Sequence, residues 1–282
     1  MLNFAFRNLV LFFKDKTAVV LSFLAEFIVV GLYILFMRDN LIKGFAGVEN
    51  IEVLLDAWMI AGVLGITPMT TTMGAYAIMV DDKAKKIARD FAVSPMHKSS
   101  LFLGYLLGAV MIGLLMSLLL LSVSALYMHI RYDVCLLAVD LADLFYVLAL
   151  NTVTSASMVL FLVSFIGTSN ALAACCTIIG ALIGFLTGIY LPMGNLPKGV
   201  GTLVKCFPVS HGVALFRRIL TEPLLAESFG STGTEGAKQF AEYMGIRYYF
   251  DGRIFAEKNS LLLLMGTAVV FLVLTIGKMG KE

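Results

Sequence analysis

Hydrophobic and polar positions alternate along this 282-residue chain in long blocks rather than in single steps. Six blocks are apolar over most of the roughly 20 residues that a helix needs to cross the hydrocarbon core of a bilayer. Glycine, serine and threonine within the blocks are compatible with helices buried in a membrane. We therefore predict an all-α membrane protein with six transmembrane helices, at residues 17–37, 57–79, 101–127, 144–166, 171–191 and 259–277.

The segment 1–16 precedes these spans and is predicted to form a separate helix that lies at the membrane interface. Lys14, Asp15 and Lys16 interrupt its apolar run. Asn3, Arg7 and Lys14 fall on one side of a helix, with apolar residues elsewhere, which is typical of an interfacial amphipathic helix. A simple extension of the first span is the alternative.

Composition places the chain in a bilayer, and the distribution of charge orients it. Hydrophobic residues make up 60% of the chain and charged residues 14%, and the mean hydropathy is +0.92, outside the soluble class. Ten Lys and Arg residues flank the spans on the side of the two termini, and three lie in the short loops opposite. Because short basic segments stay in the cytoplasm, we place both termini and residues 80–100 on the inner side of the cell membrane. The net charge of +2 predicts no nucleic-acid partner.

The long segment 192–258, between the fifth and sixth spans, faces outward in this topology. It contains two short amphipathic pieces, near 198–206 and 209–221, separated by a Phe-Pro pair. Each piece is too short to cross a bilayer, so we predict a re-entrant helical hairpin that dips into the outer leaflet. Residues 226–258 carry charges of both signs and are predicted to form an exposed outer lobe.

The inner loop between the second and third spans, VDDKAKKIARDFAVSPMHKSS, concentrates charge in a largely apolar chain. Asp81 or Asp82 can cap the start of a helix. An apolar stripe at three- and four-residue spacing follows, formed by Ala84, Ile87, Ala88 and Phe91. The pattern predicts a short amphipathic helix over 81–98 that suits docking of a cytoplasmic motor. A solvated connector whose stripe rests on the lipid headgroups is the alternative.

Two segments resemble permeases of ATP-binding-cassette exporters of the second type, the drug and polysaccharide exporter class. DDKAKKIARDFAVSPMHKSSLFLGYLLG is similar to the family's coupling region, with Ser94-Pro95 and Gly104 in matching places. LTGIYLPMGNLPKGVGTLVKCFPVSHGVALFRRIL matches the family at Pro192, Asn195, Leu196, Pro197, Pro208 and Arg217. The order of spans agrees, so the resemblance covers nearly the whole chain. One departure is the stretch Lys83–Lys86, where many members carry Glu-x-Gly-Thr.

The resemblance implies the transmembrane subunit of a pump rather than an enzyme. In the family, two permease chains, identical or homologous, form a dimer, and separate ATP-binding subunits dock on the coupling helices. No phosphate-binding GxxxxGK[ST] loop occurs in this sequence, so we expect no cofactor on this chain, and ATP and Mg on the partner ATPase. The resemblance places the ATPase-docking residues at Lys85, Lys86, Ile87, Arg89 and Phe91.

The family also implies a bacterial plasma membrane and a drug, peptide, lipid or other amphipathic compound as cargo. An ion-coupled secondary transporter is the alternative function. Such proteins usually show more charge inside the membrane and an internal repeat of spans, and this sequence has one midplane carboxylate and no clear repeat. A membrane enzyme is disfavoured because the three histidines are scattered and no metal-ligand or Ser/His/Asp set converges.

Glu26 lies midway along the first span, where a charged carboxylate costs about 2.5 to 3.5 kcal/mol to insert. It is therefore predicted to face protein or water. Two interpretations follow from the sequence. Glu26 either lines a cavity or dimer interface and recognises polar or cationic cargo, or it is a protonated, hydrogen-bonded structural group.

Glycine and proline mark two further positions in the spans. Gly180, Gly184 and Gly188 repeat every four residues, which predicts close helix packing, with the dimer interface favoured by the family resemblance. Gly104 and Gly108 form a weaker pair in the third span.

Pro68 is predicted to kink the second span, as a hinge or as a static bend, with nearby threonine hydroxyls bonding the carbonyl that it frees. The four cysteines are interpreted as packing residues, with a bridge from Cys135 to Cys206 as the alternative.

Overall fold

The computed structural model describes residues 1–85, 98–230, 234–250 and 253–279. Within these residues, six helices or helix series are long and apolar enough to cross a membrane. This confirms the predicted class, an all-α membrane protein with six membrane-capable helices.

The first five spans follow an N-terminal helix, α1 (Leu2–Lys14). The first span is a broken series over Lys16–Gly44. It consists of α2 (Lys16–Ser22), α3 (Leu24–Leu32), a π-helical turn (Tyr33–Met37) and α4 (Arg38–Gly44). The next four spans are single helices, α5 (Ile51–Ala84), α6 (Lys98–Tyr132), α7 (Leu141–Val163) and α8 (Ser169–Leu186).

In the part that the structure describes, the segment between the fifth and sixth spans contains a 3₁₀ turn, three helices and a pair of short strands. A 3₁₀ turn (Met193–Asn195) leads into α9 (Lys198–Cys206) and α10 (Pro208–Phe229), and then α11 (Thr234–Tyr243). Two short strands, β1 (Tyr249–Phe250) and β2 (Arg253–Ile254), pair antiparallel with Tyr249 opposite Ile254. This strand pair is a small departure from the predicted all-α fold. The sixth span is α12 (Glu257–Met279).

Asp15 separates α1 from the first span. Its carboxylate accepts a hydrogen bond from the Ala18 amide at 3.0 Å, which is the N-cap contact that starts a new helix. α1 and the first span are therefore two separate helices, and the position of α1 at the membrane interface stays a prediction. Phe4 and Phe12 on one face of α1 are buried, whereas Leu2 and Phe6 are exposed.

The second span is the centre of the bundle. In its most apolar window 89% of residues are buried within the chain, compared with 22% in the first and sixth spans and 17% in α8. α5 packs against α6, α7 and α10, so one helix contacts both neighbouring spans and the segment that follows the fifth span. The first span and α8 contact each other and leave apolar faces uncovered.

Two span ends differ from the predicted ones for identifiable reasons. α8 stops at Leu186, because Gly188 adopts a φ of +65° and the Ile189 amide donates to the Gly184 carbonyl at 2.9 Å, a left-handed helix end. The predicted span ended later, at residue 191, because the residues after this turn are also apolar. α5 continues to Ala84, so Asp81 and Asp82 lie within its last turns and do not cap a new helix.

Candidate functional site

The predicted docking helix falls largely outside the described residues. Lys86, Ile87, Arg89 and Phe91 all belong to the segment 86–97, which the structure leaves undescribed. Lys85 is exposed, and its ammonium lies 3.7 Å from the carboxylate of Asp81. Their docking role therefore stays a prediction.

A partly buried ion pair lies at the end of α5 that leads into this segment. Asp82 is 3% exposed and accepts two hydrogen bonds from Arg7, at 2.9 and 3.1 Å, and one from the Tyr105 hydroxyl at 2.7 Å. The hydrogen bond to Asp82 outweighs burial and raises the pKa of Arg7. Sequence reasoning missed this cluster because its members come from α1, α5 and α6, with Asp82 separated from Arg7 by 75 positions and from Tyr105 by 23.

The weaker glycine pair of the third span explains how α1 reaches this position. A side chain at Gly104 would meet the Phe4 ring at 2.6 Å, and one at Gly108 would meet the Asn8 side chain at 3.1 Å. The Phe4 ring packs edge-on against Tyr105, with the centroids 4.9 Å apart. Gly104 and Gly108 therefore form the notch that receives α1.

Glu26 lies against the middle of α5. It is 2% exposed, and its Oε1 lies 2.6 Å from the Thr70 hydroxyl. The same hydroxyl lies 2.9 Å from the Thr67 carbonyl, and Glu26 Oε2 is buried without a hydrogen-bond partner. Its surroundings are thus the first and second spans of the same chain.

Pro68 lies inside an unbroken α5. Three neighbouring threonine hydroxyls bond the carbonyls of Val63, Thr67 and Pro68. The carbonyl four residues before Pro68, which loses its amide donor, is that of Leu64. The prediction that threonine hydroxyls bond the freed carbonyl is therefore wrong, since they back-bond along the same helix instead.

The three glycines of the fifth span do not form one packing face. Gly180 has open space where a side chain would lie, whereas a side chain at Gly184 would overlap the ring of Tyr190. Gly188 lies beyond the end of α8, in the left-handed turn. Within the chain, the group that packs closely against Gly184 is thus the Tyr190 ring from the following loop, and not another helix.

Arg217 anchors the segment 192–258 to the rest of the bundle. Its side chain is fully buried, donates to the carbonyls of Gly188 at 2.9 Å and Met244 at 3.3 Å, and stacks 4.2 Å from the Trp58 ring. Trp58 also donates to the Met244 carbonyl at 2.7 Å. A side chain at Gly245 would lie 3.3 Å from the guanidinium. Arg217 thus connects α10 to α5, to the end of α8 and to the loop after α11.

The other predicted hairpin residues shape its turns. Pro192 and Pro197 flank the 3₁₀ turn, and the Asn195 side chain accepts a hydrogen bond from the Tyr243 hydroxyl at 2.8 Å. Pro208 begins α10 at the first helical position, where its missing amide is tolerated. α9 and α10 meet there at 89°.

A second carboxylate cluster, at the opposite end of the bundle from Asp82, was missed by the sequence analysis. Asp56 is 4% exposed and accepts hydrogen bonds from the hydroxyls of Tyr33, Tyr127 and Tyr132 and from Arg38, at 2.7 to 3.1 Å. Asp56 directly precedes the predicted second span, and Arg38 was counted only as a loop charge. Two of the carboxylates of α5, Asp56 and Asp82, are thus buried against tyrosine and arginine, one near each end of the helix.

The four cysteines are free thiols, so the alternative bridge from Cys135 to Cys206 is not formed in this structure.

Comparison with known proteins identifies the family. Residues 40–276 match the profile described as "ABC-2 family transporter protein". No curated protein matches the chain. The matched part begins in α4 and ends in α12, so it contains the second to fifth spans, most of the sixth, the predicted docking segment and the segment 192–258. The chain therefore belongs to the ABC-2 family of transporter proteins, as a multi-pass membrane permease.

Proposed function

We propose that the chain is the transmembrane subunit of an exporter that works as a permease dimer and is driven by separate ATP-binding subunits. The observation that carries this proposal is the family match over 40–276 in a chain that lacks a phosphate-binding loop. The ATPase would dock on the segment 81–98, with both termini in the cytoplasm of a bacterial cell. Its cargo would be an amphipathic drug, peptide or lipid.

Co-purification tests the proposal directly. The permease would be expressed with candidate ATP-binding subunits from the same genome, purified through a tag on the permease, and assayed for ATP hydrolysis. We expect a stable complex whose ATPase rate depends on the permease. A permease that purifies without any ATP-binding protein would contradict the proposal.

The uncovered faces of the first span and α8 support the dimer. Leu24, Phe27 and Ile28 on α3 are 49 to 63% exposed, and Ile178, Leu182 and Phe185 on α8 are 49 to 59% exposed. α3 and α8 contact each other, so these residues belong to neighbouring helices. Gly180 lies on α8 with open space before it, which suits close approach of a helix from a second copy.

Gly180→Leu is expected to weaken the dimer at least tenfold, because the added side chain separates two closely packed helices. Gly266→Leu is the matched control, since Gly266 also has open space before it but lies on α12. The measurement is the monomer–dimer equilibrium in lipid bilayers, followed by single-molecule photobleaching. Equal effects of the two substitutions would place the dimer contact elsewhere.

We assign Glu26 the structural role. The Thr70 hydroxyl has one hydrogen but two acceptors, Glu26 Oε1 and the Thr67 carbonyl. A neutral Glu26 donates to Thr70, and Thr70 then donates to Thr67, so both contacts are hydrogen bonds. An ionised Glu26 would leave a charged oxygen buried without a partner, which is strongly unfavourable.

Glu26→Gln is therefore expected to preserve stability within about 1 kcal/mol, because the amide can donate to Thr70 in the same way. Glu26→Ala is expected to lose about 1 to 3 kcal/mol, because it removes the hydrogen bond to Thr70 and leaves a cavity beside α5. Unfolding in mixed micelles and the ATPase rate of the assembled complex are the measurements. If Gln lowers the ATPase rate while stability is retained, the cargo-recognition interpretation is favoured instead.

A further inference from the structure

The two adjacent acids at the end of α5 contact different partners. Asp82 is bonded to Arg7 of α1 and Tyr105 of α6, as described above. Asp81 accepts a hydrogen bond at 2.6 Å from the hydroxyl of Ser169, the first residue of α8. The helical turns that precede the docking segment are therefore connected to the N-terminal helix and the third span on one side, and to the fifth span on the other.

The two connections differ in strength. The Asp82 side chain is 5% exposed and makes a bidentate ion pair plus a hydroxyl contact. The Asp81 side chain is 46% exposed, so water competes with its single hydroxyl contact. Charge-assisted bidentate contacts shielded from water are the stronger and more directional kind. Of these two side-chain contacts, the one from Asp82 to α1 is therefore the firmer.

α1 is also held to α6 by shape. Phe4 occupies the notch at Gly104, and Asn8 lies over Gly108. A shift of α1 along α6 would bring these side chains against the flanking residues of the third span. The end of α5, the start of α6 and α1 are thus joined by an ion pair and by packing.

We propose that Asp82 is a positioning residue that makes α1 move together with the end of α5 when the ATPase closes. The inference rests on the proposed function, because it needs a motor acting on 81–98. Arg7 and Tyr105 are its partners. Sliding of α1 on the inner membrane surface would then accompany each ATP-driven change of the spans.

Spin labels test this in the assembled complex with the ATPase, in a background without the four native cysteines. One label pair is Phe6→Cys with Leu203→Cys, which reports α1 against α9, and both native side chains are exposed. The second pair is Ala84→Cys with Leu203→Cys, which reports the end of α5. Distances are measured by double electron–electron resonance without nucleotide and with ATP plus vanadate.

We expect nucleotide to shift both distance distributions in the parent chain. Asp82→Asn should clearly reduce the shift at Phe6, with the packing at Gly104 and Gly108 still in place, and should retain the shift at Ala84. Arg7→Gln provides a second variant, with the same expected result, in case Asp82→Asn does not assemble. Two results would overturn the inference. One is a shift at Phe6 that both substitutions leave unchanged. The other is the absence of a shift at Phe6 in the parent chain while Ala84 responds. If nucleotide causes no shift at Ala84 in the parent chain, this result contradicts the proposed function and, with it, the inference.

Discussion

Arg217→Lys is expected to destabilise the protein by about 2 to 4 kcal/mol, through loss of a desolvated cation–π contact and of hydrogen bonds to a charged group. The guanidinium reaches two carbonyls, of Gly188 and Met244, while its plane lies on Trp58. An ammonium keeps the charge but cannot reproduce the planar fork. The lysine charge would therefore remain buried with fewer partners.

Arg218→Lys is the matched control for this experiment. Arg218 is the next residue on α10, its side chain is 20% exposed, and it pairs with Glu257 at 2.7 Å. Partly exposed ion pairs contribute about 1 kcal/mol or less, so this substitution should have a small effect. The measurement is the free energy of unfolding in mixed micelles, with Trp58 fluorescence as the probe. Equal losses at the two positions would show that Arg217 does not anchor the segment 192–258.

Arg217 also illustrates what the sequence could predict about the site. Resemblance to the family selected it, but its socket is formed by backbone carbonyls and by glycines from distant parts of the chain. Backbone carbonyls have no residue type that a sequence pattern could reveal. The sequence therefore predicted that Arg217 matters, and only the structure showed what it contacts.

The spans were predictable because the bilayer imposes a length and an apolar composition on each helix. Their ends were less predictable, because a single left-handed glycine, Gly188, stopped α8 within an apolar run. The glycine repeat predicted close packing, but spacing cannot tell which group approaches. At Gly184 that group is the ring of Tyr190, six residues later in the same chain.

The buried carboxylate clusters were not predictable from periodicity. Asp82 and Asp56 take partners from other helices, between 18 and 76 residues away. A single sequence gives the charge of each partner but not the pairing. The one buried carboxylate that the sequence did identify, Glu26, was visible because it interrupts an apolar span.

Phe91→Asp is expected to weaken binding of the ATP-binding subunit by roughly 30-fold or more. Large apolar side chains at the centre of an interface commonly contribute 2 kcal/mol or more, and each 1.4 kcal/mol is about tenfold in affinity. The stripe that ends at Phe91 is the apolar face of the predicted docking helix. In the docking hypothesis, a carboxylate at this position would lose its water against an apolar surface of the ATPase, which is unfavourable.

His97→Asp is the control, because it adds the same charge to the same loop outside the stripe. Affinity is measured on permease reconstituted in nanodiscs, by titration with the purified ATP-binding subunit. The thermal stability of the permease alone should be unchanged in both variants, because the spans do not depend on this side chain in the docking hypothesis. If Phe91→Asp binds the subunit normally, the stripe rests on the headgroups and the ATPase docks through other residues. If both variants lose binding, charge across the loop matters more than the apolar stripe.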